Sequence, residues 1–163
     1  MSKFPGLAPL SLAASLAVGF AAPARAQEPD EGHYVSAAEL GAMVAKTKDG
    51  FATAPVPTGP GATVLAARRD GVGEVEVHEH LNDEFVVQAG HATVRVGGKV
   101  AGNRQTAPGE WRGGTVTGGH SYQLAPGDVL WIPAGSPHQV TPKGGTFRYL
   151  AFKFEAKSAP APH

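Results

Sequence analysis

Three histidines and a glutamate, set in two compact stretches, are the residues of this 163-residue chain best suited to chemistry. His78, His80 and Glu84 fall in the run HEHLNDE, and His138 ends GDVLWIPAGSPH. Imidazole nitrogens and a carboxylate are ligands that first-row divalent metals accept. On a strand, residues two apart leave the same face, about 7 Å from each other, so a metal could bridge His78 and His80. Leu81, Asn82 and Asp83 have the composition of a short turn, after which a second strand would carry Glu84 back across from the histidines.

The fourth ligand needs a stiff mounting. Val129 to Ile132 is a short apolar run entered through Pro126, Gly127 and Asp128 and closed by Pro133, Ala134, Gly135, Ser136 and Pro137. Two prolines with fixed φ hold that corner, and a ligand held in one direction loses less rotamer entropy when it binds.

Together these stretches resemble the two signature motifs of the cupin superfamily. Gly73, His78, His80, Glu84 and Gly90 follow the first motif with each glycine spacer one residue short. Gly127, Pro133, Gly135 and His138 match the second in full, although Pro142 stands where an asparagine is common. A lone His-x-His on an edge strand would look the same without any function, whereas the joint pattern is much harder to reach by chance. The resemblance implies an all-β, single-domain cupin, a double-stranded β-helix or jelly-roll barrel. It also implies one divalent metal ion per chain on His78, His80, Glu84 and His138. By resemblance the metal is Mn or Fe; the ligand types equally admit Zn, Cu or Ni, and raw affinity favours Cu and Zn.

The elements that must position these residues read as mostly β. Ser36 with Glu39 three residues on resembles a capping box, and Leu40, Met43 and Val44 have helical spacing, which predicts a short N-terminal helix to about Lys48, packed outside the barrel. Pro55 to Gly61 reads as a linker. Strands are expected near 62–68, 73–80, 84–88 and 92–96, the last closed by a Gly97-Gly98 turn, then near 121–124, 129–132, 139–141 and 146–154. Phe147, Tyr149, Leu150, Phe152, Phe154 and Trp131 are expected in the core or at an interface. His33, His91 and His163 read as solvated. Between the motifs, residues 100–119 form a Gly- and Thr-rich stretch holding Arg104, Trp111 and Arg112. It reads as a long loop over the barrel mouth, with Trp111 and one arginine facing an anionic or carbonyl-bearing ligand, or else as a solvated hairpin.

Residues 1–26 have the pattern of a secretory signal peptide: Lys3, an apolar stretch from Leu10 to Ala22, then Ala24-Arg25-Ala26. At 13 residues that stretch is too short to span a membrane. The expected order is therefore signal peptide 1–26, helix and linker 27–61, barrel 62–156 and a disordered tail 157–163, in a periplasmic or secreted protein. Loss of Lys3 and Arg25 with the signal turns 14 basic against 14 acidic residues into 12 against 14. Such a balance offers nothing to nucleic acid or an anionic membrane. With no cysteine, disulfides are excluded, so packing and the metal must hold the barrel. The expected partner is a small-molecule substrate or ligand, with a homodimer suggested by resemblance alone. The function this implies is an exported metalloenzyme of dioxygenase, decarboxylase, isomerase or lyase type. A non-catalytic binder for storage or sensing is the alternative, because no separate nucleophile or acid/base residue is evident beyond Glu84 leaving the metal to take a proton.

Overall fold

The structure, a computed structural model, describes residues 32–156; the signal-peptide and tail assignments lie outside them. Among the described residues no helix is long and apolar enough to cross a membrane.

One helix, α1 (Ala37–Met43), opens the fold. Its capping box is formed: the Glu39 backbone N–H donates to Ser36 Oγ at 3.2 Å, and Glu39 Oε2 accepts from the Ser36 N–H at 2.8 Å. The helix stops earlier than its apolar spacing predicts. Asp49 (φ 52°) and Gly50 (φ 75°) turn the chain back tightly, with Lys48 and Phe51 exchanging backbone hydrogen bonds, and a strand the sequence reading lacked, β1 (Phe51–Pro55), follows. Two successive positive φ angles match the twist of a two-residue hairpin, which is why an Asp-Gly pair works there.

The remaining strands are β2 (Thr63–Arg69), β3 (Glu76–His78), β4 (Leu81–Val96), β5 (Lys99–Ala101), β6 (Arg104–Ala107), β7 (Glu110–Arg112), β8 (Thr115–Thr117), β9 (His120–Leu124), β10 (Val129–Ile132) and β11 (His138–Glu155). Two of them organise the rest. β4 and β11 run antiparallel along most of their length, from His138 opposite Val96 to Glu155 opposite Leu81, with an irregularity between Lys143 and Arg148. The sequence reading split each into two strands, since Gly90 and Gly144-Gly145 look like turns. Instead both long strands bend there together. On one side of the bend the sheet runs β1-β2-β11-β4-β10, and on the other β6-β7-β3-β11-β4-β9. Two curled faces sharing their central strands make the barrel, and β5 and β8 pair as a separate ribbon.

The bend also switches which parity faces inward. Phe85 and Val87 are buried before it, Ala92 and Val94 after it; along β11, Val140 precedes it and Phe147, Tyr149 and Ala151 follow. A glycine-bearing bulge inserts the residue that causes this switch. These side chains, with Ala67, Leu124, Leu130 and Ile132, form one apolar core. Trp131 is not part of it: between the inward Leu130 and Ile132 it points outward, about half exposed, beside Phe154.

Residues 100–119 are not an irregular loop. Glycines with positive φ at 97, 98, 102, 109, 113, 114, 118 and 119 bracket the short strands β5 to β8. Gly97-Gly98 accordingly leads into β5 rather than closing a hairpin, since β4 pairs beyond it with β9.

Candidate functional site

At one end of the barrel, between the two faces, Glu76, His78 and His138 present ligand atoms that all lie within 4.8 Å of one another. Glu76 and His78 are alternate residues of β3, so both side chains leave the same face. His138, the first residue of β11, pairs with Glu76 in register, beyond the Pro137 corner. Asp83, two residues into β4, comes from the opposite face of the barrel. Its Oδ2 is 3.4 Å from His78 Nε2 and 3.7 Å from His138 Nε2.

Two of the four expected ligands, His78 and His138, are therefore brought together, and the other two stand apart from them. His80 lies past the end of β3, where the chain bends toward β4, and its side chain is 82% exposed. Two-residue alternation requires extended backbone, and here it runs out at His78. Glu84 is on β4, but on its outer face, opposite Trp131 and Phe152. The expected turn at 81–83 is the start of that strand, which hands the inward position to Asp83. Nor do β3 and β4 form a hairpin; β3 pairs with β7 and β11. The missing spacer residue of the first motif was the legible signal, since reading Asp83 in place of Glu84 restores it before Gly90.

Each imidazole is oriented by a bond to its other nitrogen. His78 Nδ1 lies 2.6 Å from Glu110 Oε2, a carboxylate that can only accept, so Nδ1 carries the proton. The lone pair is then on Nε2, where the Lys153 ammonium donates to it at 2.9 Å. His138 Nδ1 donates to the Ser136 carbonyl at 3.2 Å, which leaves its Nε2 lone pair facing the cluster. That nitrogen is buried and, among the described residues, has no hydrogen-bond partner. Burial pushes the His138 pKa below the ordinary imidazole value, against the opposing pull of Glu76 and Asp83, so the ring is neutral at neutral pH.

The carboxylates are ionised for a different reason. Burial pushes Glu76 upward, yet the positive charge of Arg69, joined by that of Arg112, holds it below the usual carboxylate range. Burial likewise opposes Asp83, whose pKa is lowered by the ammonium of Lys153, 2.7 Å from Oδ1. Arg69 is anchored in turn: Nε donates to Tyr149 Oη at 3.2 Å, Nη2 to Glu76, and its guanidinium lies 4.1 Å from the centre of the Phe51 ring.

The residues present thus fit a divalent metal. The Nε2 atoms of His78 and His138 face a space flanked by two ionised carboxylates, Glu76 and Asp83. An unpartnered buried lone pair costs free energy unless a donor or a metal meets it, and donation of the ring's far N–H to a carboxylate, as from His78 Nδ1 to Glu110, is the usual support of a liganding imidazole.

The cluster opens into a pocket of about 1120 Å³. Glu110 and Arg112 line it from β7, and Arg69, Lys48 and Lys153 add positive charge. Of the residues expected to face a ligand, Arg112 does line the pocket, whereas Trp111 points to the other side of β7, its indole N–H donating to Glu79 at 2.8 Å. Arg104 is exposed and pairs with Glu74 at 3.0 Å.

Residues 85–161 match the family model of the AraC-like ligand-binding domain. A conserved Klebsiella pneumoniae protein with a double-stranded β-helix domain superposes with a TM-score of 0.54 at 17% identity, covering 78% of this chain and all of that one. KdgF from a Halomonas species gives 0.50 at 16% identity over 69% of this chain and 84% of its own. The cupin domain of Schizosaccharomyces pombe Cnp3 gives 0.50 at 12% identity over 67% of each. At such identities the likeness is one of fold. Among curated proteins no sequence matches.

Proposed function

We propose that this chain, whose fold is that of cupin double-stranded β-helix domains, is an exported metal-binding cupin acting as a metalloenzyme on a small oxygenated or carboxylate-bearing molecule. The observation that carries the reading is the buried Nε2 of His138, unpartnered among the described residues and 3.7 Å from Asp83 Oδ2, in a cluster whose Glu76 and His78 line a large open pocket. Glu76, His78, Asp83 and His138 would hold the metal. A divalent ion there supplies Lewis-acid polarisation or, if redox-active, electrons. Arg69 and Arg112 lie on the pocket wall beside the cluster and suit a carboxylate or an enolate oxygen. Glu110, bonded to both His78 and Arg112, is placed to fix the imidazole and the guanidinium relative to each other. The closed core behind the cluster, with Phe85 edge-on to His138, keeps water to the pocket side.

The test is metal analysis of mature protein from its native compartment. Stoichiometric metal, lost in His138→Ala, is expected, together with turnover of a carboxylic acid, diketone or phenol by the Mn or Fe form that His78→Ala abolishes. Wild-type protein that takes up no metal would sink the reading. A second reading, a small-ligand-binding cupin without catalysis, has its own support. The matched family model is a ligand-binding domain, and the site's carboxylates Glu76, Asp83 and Glu110 already face Arg69, Arg112 and Lys153. Tight ligand binding with no turnover across the panel would favour it.

A further inference from the structure

Lys153 stands in direct competition with the metal that the proposed function requires. Its ammonium donates to His78 Nε2 at 2.9 Å and to Asp83 Oδ2 at 2.9 Å, and lies 2.7 Å from Oδ1. With the Nδ1 proton committed to Glu110, His78 has a single lone pair in the plane of its ring, and that lone pair serves an N–H donor or a metal, not both. Charge points the same way. Glu76, Asp83 and Glu110 are matched in number by Arg69, Arg112 and Lys153, so an entering divalent ion leaves a large positive excess unless a cation departs. The two arginines cannot easily leave: Arg69 is buried between Tyr149, Glu76 and Phe51, and Arg112 is held by Glu110 and the Trp111 carbonyl. Lys153 can, since a flexible four-carbon stem on β11 borders the open pocket.

We propose that Lys153 is an exchangeable internal cation: it neutralises Asp83 and caps His78 in the metal-free protein, and metal binding expels its ammonium into the pocket, where it meets the anionic group of a ligand. Metal loading and anion binding are then coupled, because an ammonium released from Asp83 is free to pair with a carboxylate beside Arg69. This rests on the metal-site reading above, and the experiment separates the two.

The probe is Zn²⁺, titrated into full-length mature wild type, Lys153→Met and His138→Ala in competition with a chromophoric chelator at fixed pH. Methionine keeps the stem's length without the charge. The expected result is that Lys153→Met binds Zn²⁺ about tenfold or more tightly than wild type, the factor for no longer breaking a charged hydrogen bond. His138→Ala measures binding elsewhere on the chain. In wild type, amine labelling read by mass spectrometry is expected to find Lys153 protected without Zn²⁺ and reactive with it, which tests the exchange even if the methionine variant does not fold. Zn²⁺ binding at the His138-dependent site with equal or weaker affinity in Lys153→Met, and Lys153 labelling indifferent to Zn²⁺, would overturn the exchange and leave the metal site standing. Failure of both wild type and Lys153→Met to bind Zn²⁺ at that site would instead remove the metal reading and the exchange with it.

Discussion

A histidine offers a metal one lone pair, and which nitrogen carries it is decided by the neighbour of the other. In His78 that neighbour is Glu110, 2.6 Å from Nδ1. Replacing the carboxylate by an amide keeps the shape and removes the charge that fixes the tautomer and raises the basicity of Nε2. Glu110→Gln is therefore expected to weaken divalent-metal affinity about 10- to 100-fold with little effect on folding, measured by chelator competition alongside an unfolding curve. Unchanged affinity would mean that Glu110 serves Arg112 and not the ring. The exposed His80 makes the opposite case: His80→Ala is expected to leave metal stoichiometry and affinity unchanged, because its ring lies past the end of β3 and outside the cluster. Loss of metal in that variant would show that the segment between β3 and β4 closes over the site when loaded. The sequence offered both histidines equally; only the point at which the strand ends separates them.

Placement of the site depends on the coordinated bend in β4 and β11, which lets Asp83 and Lys153 come from one face and Glu76, His78 and His138 from the other. Gly90 makes the bend feasible: its φ is 77°, and a Cβ there would collide with the Thr146 carbonyl oxygen across the strand pair. Gly90→Ala is expected to cost about 2 kcal/mol or more, from left-handed strain together with that collision. Gly59→Ala, with open space around it, should fall within about 0.5 kcal/mol of wild type. Urea midpoints of the two variants check this, and a Gly90→Ala protein as stable as wild type would move the bend's origin to Gly144-Gly145. Here the limits of the sequence reading become physical. The β class, the capping box of α1, β10 and its rigid corner, and the cupin resemblance were all legible, since each depends on local composition or on a motif. The face carried by each strand was not. Inward parity in β4 reverses at Gly90, so Asp83, Phe85 and Val87 share a side with Ala92 and Val94, and a reading that placed a turn at 81–83 assigned Glu84 to the inside. Glu110 and Lys153 were beyond reach for another reason. Both join the cluster through long-range pairing, β7 with β3 and β11 with β4, which no local spacing records.

For the molecule as a whole, the buried chain from Tyr149 through Arg69 to Glu76 ties the apolar core to the functional cluster, and it gives stability an alkaline limit. Tyr149 is enclosed by Phe85 and Phe147, and its hydroxyl oxygen accepts from Arg69. Burial pushes its pKa up to about 12, partly offset by the charge of Arg69. An unfolded tyrosine ionises near pH ~10. The folded value is the higher one, so the unfolded state gives up this proton first. The contribution of the protonated phenol is thus fully present below pH ~10 and is lost as pH rises from there toward the folded pKa. Two units correspond to on the order of 2–3 kcal/mol. Tyr149→Phe removes the ionisation and also leaves Arg69 Nε without its acceptor, so it is expected to cost about 1–2 kcal/mol at neutral pH. Above pH ~10 its stability should fall less steeply than that of wild type, and the two curves should converge. Urea unfolding free energies measured at intervals between about pH 8 and pH 11 test this. Parallel curves for the two proteins would assign the alkaline loss to other groups and reduce Tyr149 to a packing residue. Convergence would mean that the same buried pair that holds Glu76 in place also sets the upper pH at which the barrel keeps its shape.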